Sequence, residues 1–255
     1  MNTTTAAHAT PAGGLTPELK WTLTKIHATT LLLAWFFLVP LSASLARFLR
    51  RFAAVRPEGV APVRPSLWFH AHRAINLMAL SLMFLGLLTI LVAHEWRWLG
   101  PTIGGTRNSS SSAWHTLFGV LAIALAAAQP LNAVLRCRPG HARRPVFNLL
   151  HRCAGVAAWL LAAVCIFIAC VYFGKRFTSP SMAVAFCISI VGFVVVAAFG
   201  LDFVHLLPRF RPGAERDEEK RGFPDTDYFL LAISIFVLAA LCFCLCCLVW
   251  LKAPA

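Results

Sequence analysis

Residues 147–173 read FNLLHRCAGVAAWLLAAVCIFIACVYF. Beyond Arg152 the stretch carries no charge, and a helix needs about 20 apolar residues to cross the hydrocarbon core of a bilayer. Near its start stands His151, and at i+4, i+7, i+11 and i+14 below it come Gly155, Ala158, Ala162 and Cys165. Those positions share one face of an α-helix. An ionisable ring inside a membrane segment is costly and marks function. A stripe of small side chains beneath it leaves room for something flat.

Working outward, five more segments share this character. The six run 26–49, 69–94, 113–136, 147–173, 181–206 and 228–252 and take up most of the 255 residues. The composition agrees, with 59% hydrophobic residues, 13% charged residues and a mean hydropathy of +0.72. These values exclude an ordinary soluble domain and predict an all-α polytopic membrane protein with six transmembrane helices. Residues 1–25 form a polar tail without the apolar core of a signal peptide, so the first helix is expected to act as its own insertion signal. The net charge of +13 comes without the exposed basic domain a nucleic-acid partner requires. No dinucleotide-binding fingerprint is present, which argues against a flavin-fed reductase within this chain.

The cations divide by side. The first, third and fifth connections hold fourteen Lys and Arg, among them Arg47, Arg50, Arg51, Arg56, Arg64, Arg136, Arg144 and Arg209. The opposite side holds seven: Lys20, Lys25, Arg97, Arg107, Lys175, Arg176 and Lys252. Positive charge stays cytoplasmic, so the odd-numbered connections are expected inside and both termini outside or in a lumen. Trp21, Trp68, Trp96, Trp98, Trp114 and Trp250 fall near segment ends, as an interfacial belt does. Glycosylation sequons at Asn2 and Asn108 lie on the outer side of this topology. Of the nine cysteines, most lie inside apolar segments and read as small apolar filler.

Four histidines stand near the starts of four consecutive segments: His27, His72, His115 and His151. Consecutive helices alternate in direction, which puts His27 and His115 near one membrane face and His72 and His151 near the other. In an antiparallel four-helix bundle the first and third helices, and the second and fourth, lie on the diagonals. Each pair then closes across the centre, at opposite depths. Paired neutral imidazoles are the usual axial ligands of an electron-transfer haem. The faces below His72 (Asn76, Ala79, Met83, Gly86) and His115 (Gly119, Ala122, Ala126, Gln129) are again mainly small. The face below His27 is bulkier, with Leu31, Ala34, Leu38 and Leu41. Pro40 and Pro130 are expected to bend the first and third helices. His70 heads a bulkier face than His72 and is the weaker ligand candidate. His8, His94, His141 and His205 read as solvated or interfacial.

These residues resemble the core of the cytochrome b561 family, and within it the ferric-chelate reductase-like subgroup. The matching motifs are His27 with Trp35, Pro40-Leu41 and Arg47; Trp68-Phe69-His70-Ala71-His72-Arg73; His115 to Gly119 followed by Gln129-Pro130; and Arg144-Pro145-Val146-Phe147-Asn148-Leu149-Leu150-His151 with Gly155. They span residues 20–175. The resemblance implies a four-helix di-haem core over 26–173, two further transmembrane helices with a basic cytoplasmic loop over 174–255, and a core without the extracellular domain that many relatives carry before the first helix. It implies two haem b groups with bis-histidine iron, held by His27, His115, His72 and His151. Arg47, Arg73 and Arg144 are expected near the cytoplasmic haem, against its propionates or ascorbate.

The implied activity is that of a transmembrane ascorbate-dependent oxidoreductase. Electrons pass from cytosolic ascorbate to a non-cytoplasmic ferric chelate or monodehydroascorbate, in the plasma membrane or an endomembrane vesicle, and relatives suggest a homodimer. The alternatives are a non-enzymatic electron conduit or a membrane scaffold acting with a partner protein.

Overall fold

The computed structural model describes residues 14–52, 67–134, 136–138, 140–206 and 225–253. The regular structure among them is helical, and six helices are long and apolar enough to cross a membrane. Helix α1 is built of an α-helical stretch Pro17–Leu32, a π-helical turn Leu33–Leu38 and a second α-helical stretch Val39–Phe52. It is followed by α2 (Leu67–Ala93), α3 (Ser111–Val134), α4 (Arg144–Tyr172), α5 (Pro180–Leu206) and α6 (Asp225–Trp250). Several begin earlier than hydropathy predicts, because polar capping residues precede the apolar run. In α1 the Thr16 hydroxyl accepts from Leu19 N at 3.3 Å and Pro17 takes the first helical position, both helix-starting devices. The side chains of Arg50, Arg51, Arg56 and Arg64, the charges of 209–221, His8, Asn2 and the His205 side chain lie outside the described residues.

The helices form an antiparallel ring. α1 packs closely along α2, and α3 along α4, while α2 and α3 touch sparingly and α4 meets α1 at the π-turn. α5 packs on α4 and α6, and α6 closes against α1. At that closure Trp250 donates its indole N–H to Thr29 Oγ1 at 2.7 Å, and Lys25 donates to the Trp250 carbonyl at 3.0 Å.

The π-turn follows from Pro40. Proline has no N–H to give and its ring crowds the carbonyl four residues earlier, so the helix widens before it. Val39 N–H bonds back to Ala34 O, five residues away. The next bond in that register would run from residue 40 to Trp35 O, and Pro40 cannot make it. Trp159 on α4 fills the gap, donating its indole N–H to Trp35 O at 3.0 Å. In a bilayer every backbone polar group needs such a partner. Ala34, Trp35, Phe36 and Leu38 of the turn are buried, which makes it part of the core. The proline expected to bend α1 therefore acts through a π-turn, whereas α3 runs on through Pro130 to Val134.

A π-turn adds one residue to the helical count. In a plain helix the position fourteen residues below His27 is Leu41. Here it becomes Ser42, which is fully buried. That shift resolves the bulky face the sequence shows below His27.

The two helices of the first hairpin meet most closely at Gly86. A Cβ there would lie 2.6 Å from Thr30 Oγ1 and 3.0 Å from Leu31 Cγ. On the loop between α2 and α3, Asn108 donates to Thr102 O at 2.8 Å and accepts from Thr102 N at 2.9 Å. The amide of the sequon is thus engaged in holding its own turn.

Two stability measurements check this packing. Trp159→Phe leaves Trp35 O without a partner and should destabilise the protein by about 1–3 kcal/mol, read as a lower unfolding midpoint in detergent. Gly86→Ala should cost about 1–3 kcal/mol by overpacking the α1–α2 contact, whereas Gly192→Ala on α5, whose Cβ meets nothing within 4 Å, should not. Equal effects at the two glycines would count against the close approach.

Candidate functional site

The ring of helices brings the four histidines together in the two diagonal pairs. The ring centres of His27 and His115 are 6.4 Å apart with planes at 65°, and those of His72 and His151 are 6.4 Å apart at 68°. From His27 to Ser42, which touches His72, α1 rises about 22 Å at 1.5 Å per residue, so the pairs lie near opposite ends of the bundle.

Each ring has its Nδ1 engaged. His27 Nδ1 donates to Gly86 O at 2.8 Å, and His115 Nδ1 donates to Cys165 O at 3.0 Å. Cys165 returns a bond, its thiol donating to His115 O at 3.2 Å. His72 Nδ1 lies 2.9 Å from Ser42 Oγ. Ser42 donates its hydroxyl to His72 O at 3.2 Å, and Asn76 gives one amide hydrogen to Ser42 Oγ and another to His72 O at 2.8 Å. With its own proton spent and Asn76 donating to it, Ser42 Oγ accepts from His72 Nδ1–H. A carbonyl or such a hydroxyl facing Nδ1 places the ring proton there and leaves Nε2 as the lone pair, the arrangement that orients a metal-binding imidazole. His151 is met by the Gln129 amide on α3.

The spacing suits a metal ion between the rings. A metal–nitrogen bond of about 2.0–2.1 Å on each side, plus about 1.1 Å from nitrogen to ring centre, separates two imidazole centres by about 6.3 Å. Among the described residues no group of three or more His, Cys, Asp and Glu converges. Each pair thus offers two protein ligands, too few for a bare ion. Iron in a macrocycle brings four equatorial nitrogens and needs two axial ligands. The glycines are placed to match: Gly155, one turn from His151, has open space where a Cβ would be, and a Cβ on Gly119 would meet only Cys165 Sγ at 3.3 Å. The residues present fit a bis-imidazole haem at both ends.

The surroundings differ at the two ends. Beside His72 and His151, Arg73 and Arg136 lie 5.5 and 4.8 Å from the Phe69 ring centre. Arg144 lies 5.8 Å from Phe147, which stacks on His151 at 6.0 Å and 10°. Arg144 also donates to Cys137 O. Arg47, expected at this end, directs Nη1 to Ala198 O on α5 at 2.9 Å. His70 is exposed and turns to the edge of Phe69 at 5.9 Å rather than to His151.

At the other end Phe173 meets the edge of His115 at 5.3 Å. Lys25 lies 5.6 Å from Trp21 and 5.5 Å from Trp250, and Arg176 lies 4.7 Å from Trp21. Lys20 pairs with Glu95 at 2.6 Å and Arg97 reaches it at 3.6 Å. The Lys20 hydrogen bond and charge hold the Glu95 carboxyl below the usual range. Partial desolvation, with Arg176 and Lys20 nearby, lowers His94 likewise. Arg107 is exposed on the loop.

Ser42, Phe147 and Trp159 carry roles that the sequence pattern does not announce. Ser42 was hidden by the one-residue shift of the π-turn. Phe147 follows from spacing alone, since it lies four residues before His151, one helical turn away.

The family described as Eukaryotic cytochrome b561 matches residues 63–177. Ferric-chelate reductase 1 of Mus musculus is 28% identical over 173 residues, covering 68% of this chain and 26% of the mouse protein. Ferric-chelate reductase 1 of Bos taurus is 27% identical over 147 residues, covering 57% of this chain and 22% of that protein. A cytochrome b561, DM13 and DOMON domain-containing protein of Arabidopsis thaliana is 28% identical over 157 residues, 59% of this chain and 15% of its own length. The chain thus spans about a quarter or less of the length of these relatives. No solved structure gives a significant match. With the histidine motifs, the helical membrane fold and the matched residues in agreement, residues 63–177 of this chain are similar to the cytochrome b561 family.

Proposed function

We propose that this protein transfers electrons across a membrane, from cytosolic ascorbate to a non-cytoplasmic acceptor such as a ferric chelate or monodehydroascorbate. The observation that carries the reading is the pair of facing imidazoles at each end of the bundle, 6.4 Å between ring centres in both. Residues 26–173 form the electron-transfer core in this reading. His27 and His115 would hold one haem b, and His72 and His151 the other. Bound there, haem would supply one-electron redox chemistry.

The remaining chemistry belongs to side chains. Gly86 O, Cys165 O and Ser42 keep Nδ1 of three rings protonated, so these rings present a neutral lone pair without a proton to lose first. Arg73, Arg136 and Arg144 give the His72–His151 end a positive face suited to the ascorbate monoanion and to propionates, through charge-assisted hydrogen bonds. Arg47 bonds the α5 backbone and contributes to that face through position and charge. The bias of Lys and Arg supports placing this end in the cytoplasm. The cations Lys20, Lys25, Arg97 and Arg176 suit an anionic acceptor at the opposite end. Outward transfer runs with an inside-negative potential, worth about 2.3 kcal/mol per 100 mV for one charge.

A second reading has the protein deliver electrons to a partner protein rather than to a small acceptor. It is favoured by the length of the matched relatives, which extend far beyond the aligned residues. Purified protein would then hold haem yet reduce ferric chelates poorly.

The test is a reduced-minus-oxidised spectrum of purified protein with ascorbate, for wild type, His72→Ala and His115→Ala. Two haems in wild type and about half the haem in each variant are expected, since one axial ligand is lost at one centre. Ferric-chelate reduction by wild type should fall at least about tenfold in either variant, which corresponds to about 1.4 kcal/mol in the barrier. A fully loaded wild type that ascorbate leaves oxidised would overturn the donor assignment.

A further inference from the structure

The two histidine pairs are held by different kinds of acceptor. At His27 and His115 both are main-chain carbonyls, those of Gly86 and Cys165. No substitution removes a carbonyl. At His72 the Ser42 hydroxyl adds to the Ser42 carbonyl at 3.3 Å, and at His151 the partner is the Gln129 side chain. At this second centre substitution can change an oxygen acceptor directly.

Gln129 has two ways to meet His151. With its nitrogen inward it donates to Nδ1 at 2.6 Å and to His151 O at 3.3 Å, and its oxygen accepts from Gly155 N at 3.3 Å. Nδ1 is then an acceptor and the ring proton is on Nε2, which blocks that nitrogen as a ligand. With its oxygen inward, Gln129 accepts from Nδ1–H and Nε2 is the lone pair. His72 has no such choice: the Ser42 carbonyl, 3.3 Å from Nδ1, can only accept, and the Ser42 hydroxyl, which donates to His72 O, has its lone pairs toward Asn76 Nδ2 and His72 Nδ1.

Resting on the di-haem reading above, we propose that Gln129 is the positioning residue that sets the His151 tautomer. Its amide oxygen accepts Nδ1–H whenever Nε2 is bound, and the amide turns over relative to the orientation that satisfies its nitrogen. Gln129 and Ser42 together form a side-chain acceptor set for one haem. An acceptor at Nδ1 makes the imidazole a stronger donor to iron, which favours the oxidised state. Losing the acceptor raises the midpoint of that haem, and strengthening it lowers the same midpoint.

The experiment is a spectroelectrochemical titration of the purified, haem-loaded full chain, with electron spin resonance of the oxidised protein alongside. Variants are Gln129→Leu, Gln129→Glu and Ser42→Ala. One haem should shift upward in Q129L, the same haem downward in Q129E and upward in S42A, while the other haem keeps its midpoint and its resonance in all three. Unmoved midpoints in both Gln129 variants would overturn the assignment. So would Q129L and Q129E shifting in the same direction, or Gln129 and Ser42 variants moving different haems. Should Q129L lose one haem outright, its retention with a lowered midpoint in Q129E supports the role, and its loss there too overturns it. A wild type holding fewer than two haems would strike the underlying reading and not the role of Gln129 alone.

Discussion

Inside a bilayer a helix carbonyl is already bonded to the N–H four residues on, and its second lone pair is the only polar feature it can offer a neighbour. This protein uses that second lone pair to hold imidazoles. Gly86 O takes His27 and Cys165 O takes His115. For a ring to reach a carbonyl of the adjacent helix, the two backbones must come close. Gly86 permits that approach between α1 and α2, with Thr30 and Leu31 filling the place a side chain would have. The geometry of both histidine pairs therefore depends on helix separation, and helix separation on a few small residues. Small residues serve this purpose generally in membranes, where burial in lipid gives helices no hydrophobic reason to associate.

The two hairpins carry this out in different ways. α1 and α2 are locked by the contact at Gly86 and by the Ser42–Asn76–His72 network. α3 and α4 are joined by the reciprocal bonds of His115 and Cys165 and by Gln129 against His151. Between the hairpins the direct contact is lighter, with Trp159 reaching across to the π-turn. Each hairpin is thus a local unit, and the diagonals that carry the imidazoles belong to neither one alone.

Much of this was legible in the sequence. Six apolar segments, four histidines near segment starts and small stripes beneath three of them were sufficient for the membrane fold, the pairing of the rings and the family resemblance. Hydropathy placed helix starts late because Thr16, Pro17 and their equivalents are polar or capping residues that it does not score. Arg47 was read by proximity to the cytoplasmic end, but a helix also rotates, and its guanidinium turns to Ala198 on α5. Ser42 was out of reach for a different reason. A face counted at a constant 3.6 residues per turn lands on Leu41, and the effect of Pro40 on the count appears only once the carbonyl of Trp35 needs a partner from α4. The Asn108 sequon was a true motif whose amide is committed to Thr102, a matter of loop geometry that three letters do not encode.

The π-turn bears on how this chain tolerates change. Residues 33–38 are apolar and closely packed, and exchanging one for another of similar size repacks a core. Removing one is a different event. Deleting a single residue along with the turn would leave Ser42 facing His72, whereas closing the turn with every residue kept would rotate everything beyond it by about 100° at 3.6 residues per turn and present Leu41 where Ser42 now meets His72. One centre would lose its polar support while the other, above the turn, stayed intact. In this stretch the pitch of the backbone carries more information than the identities of the residues.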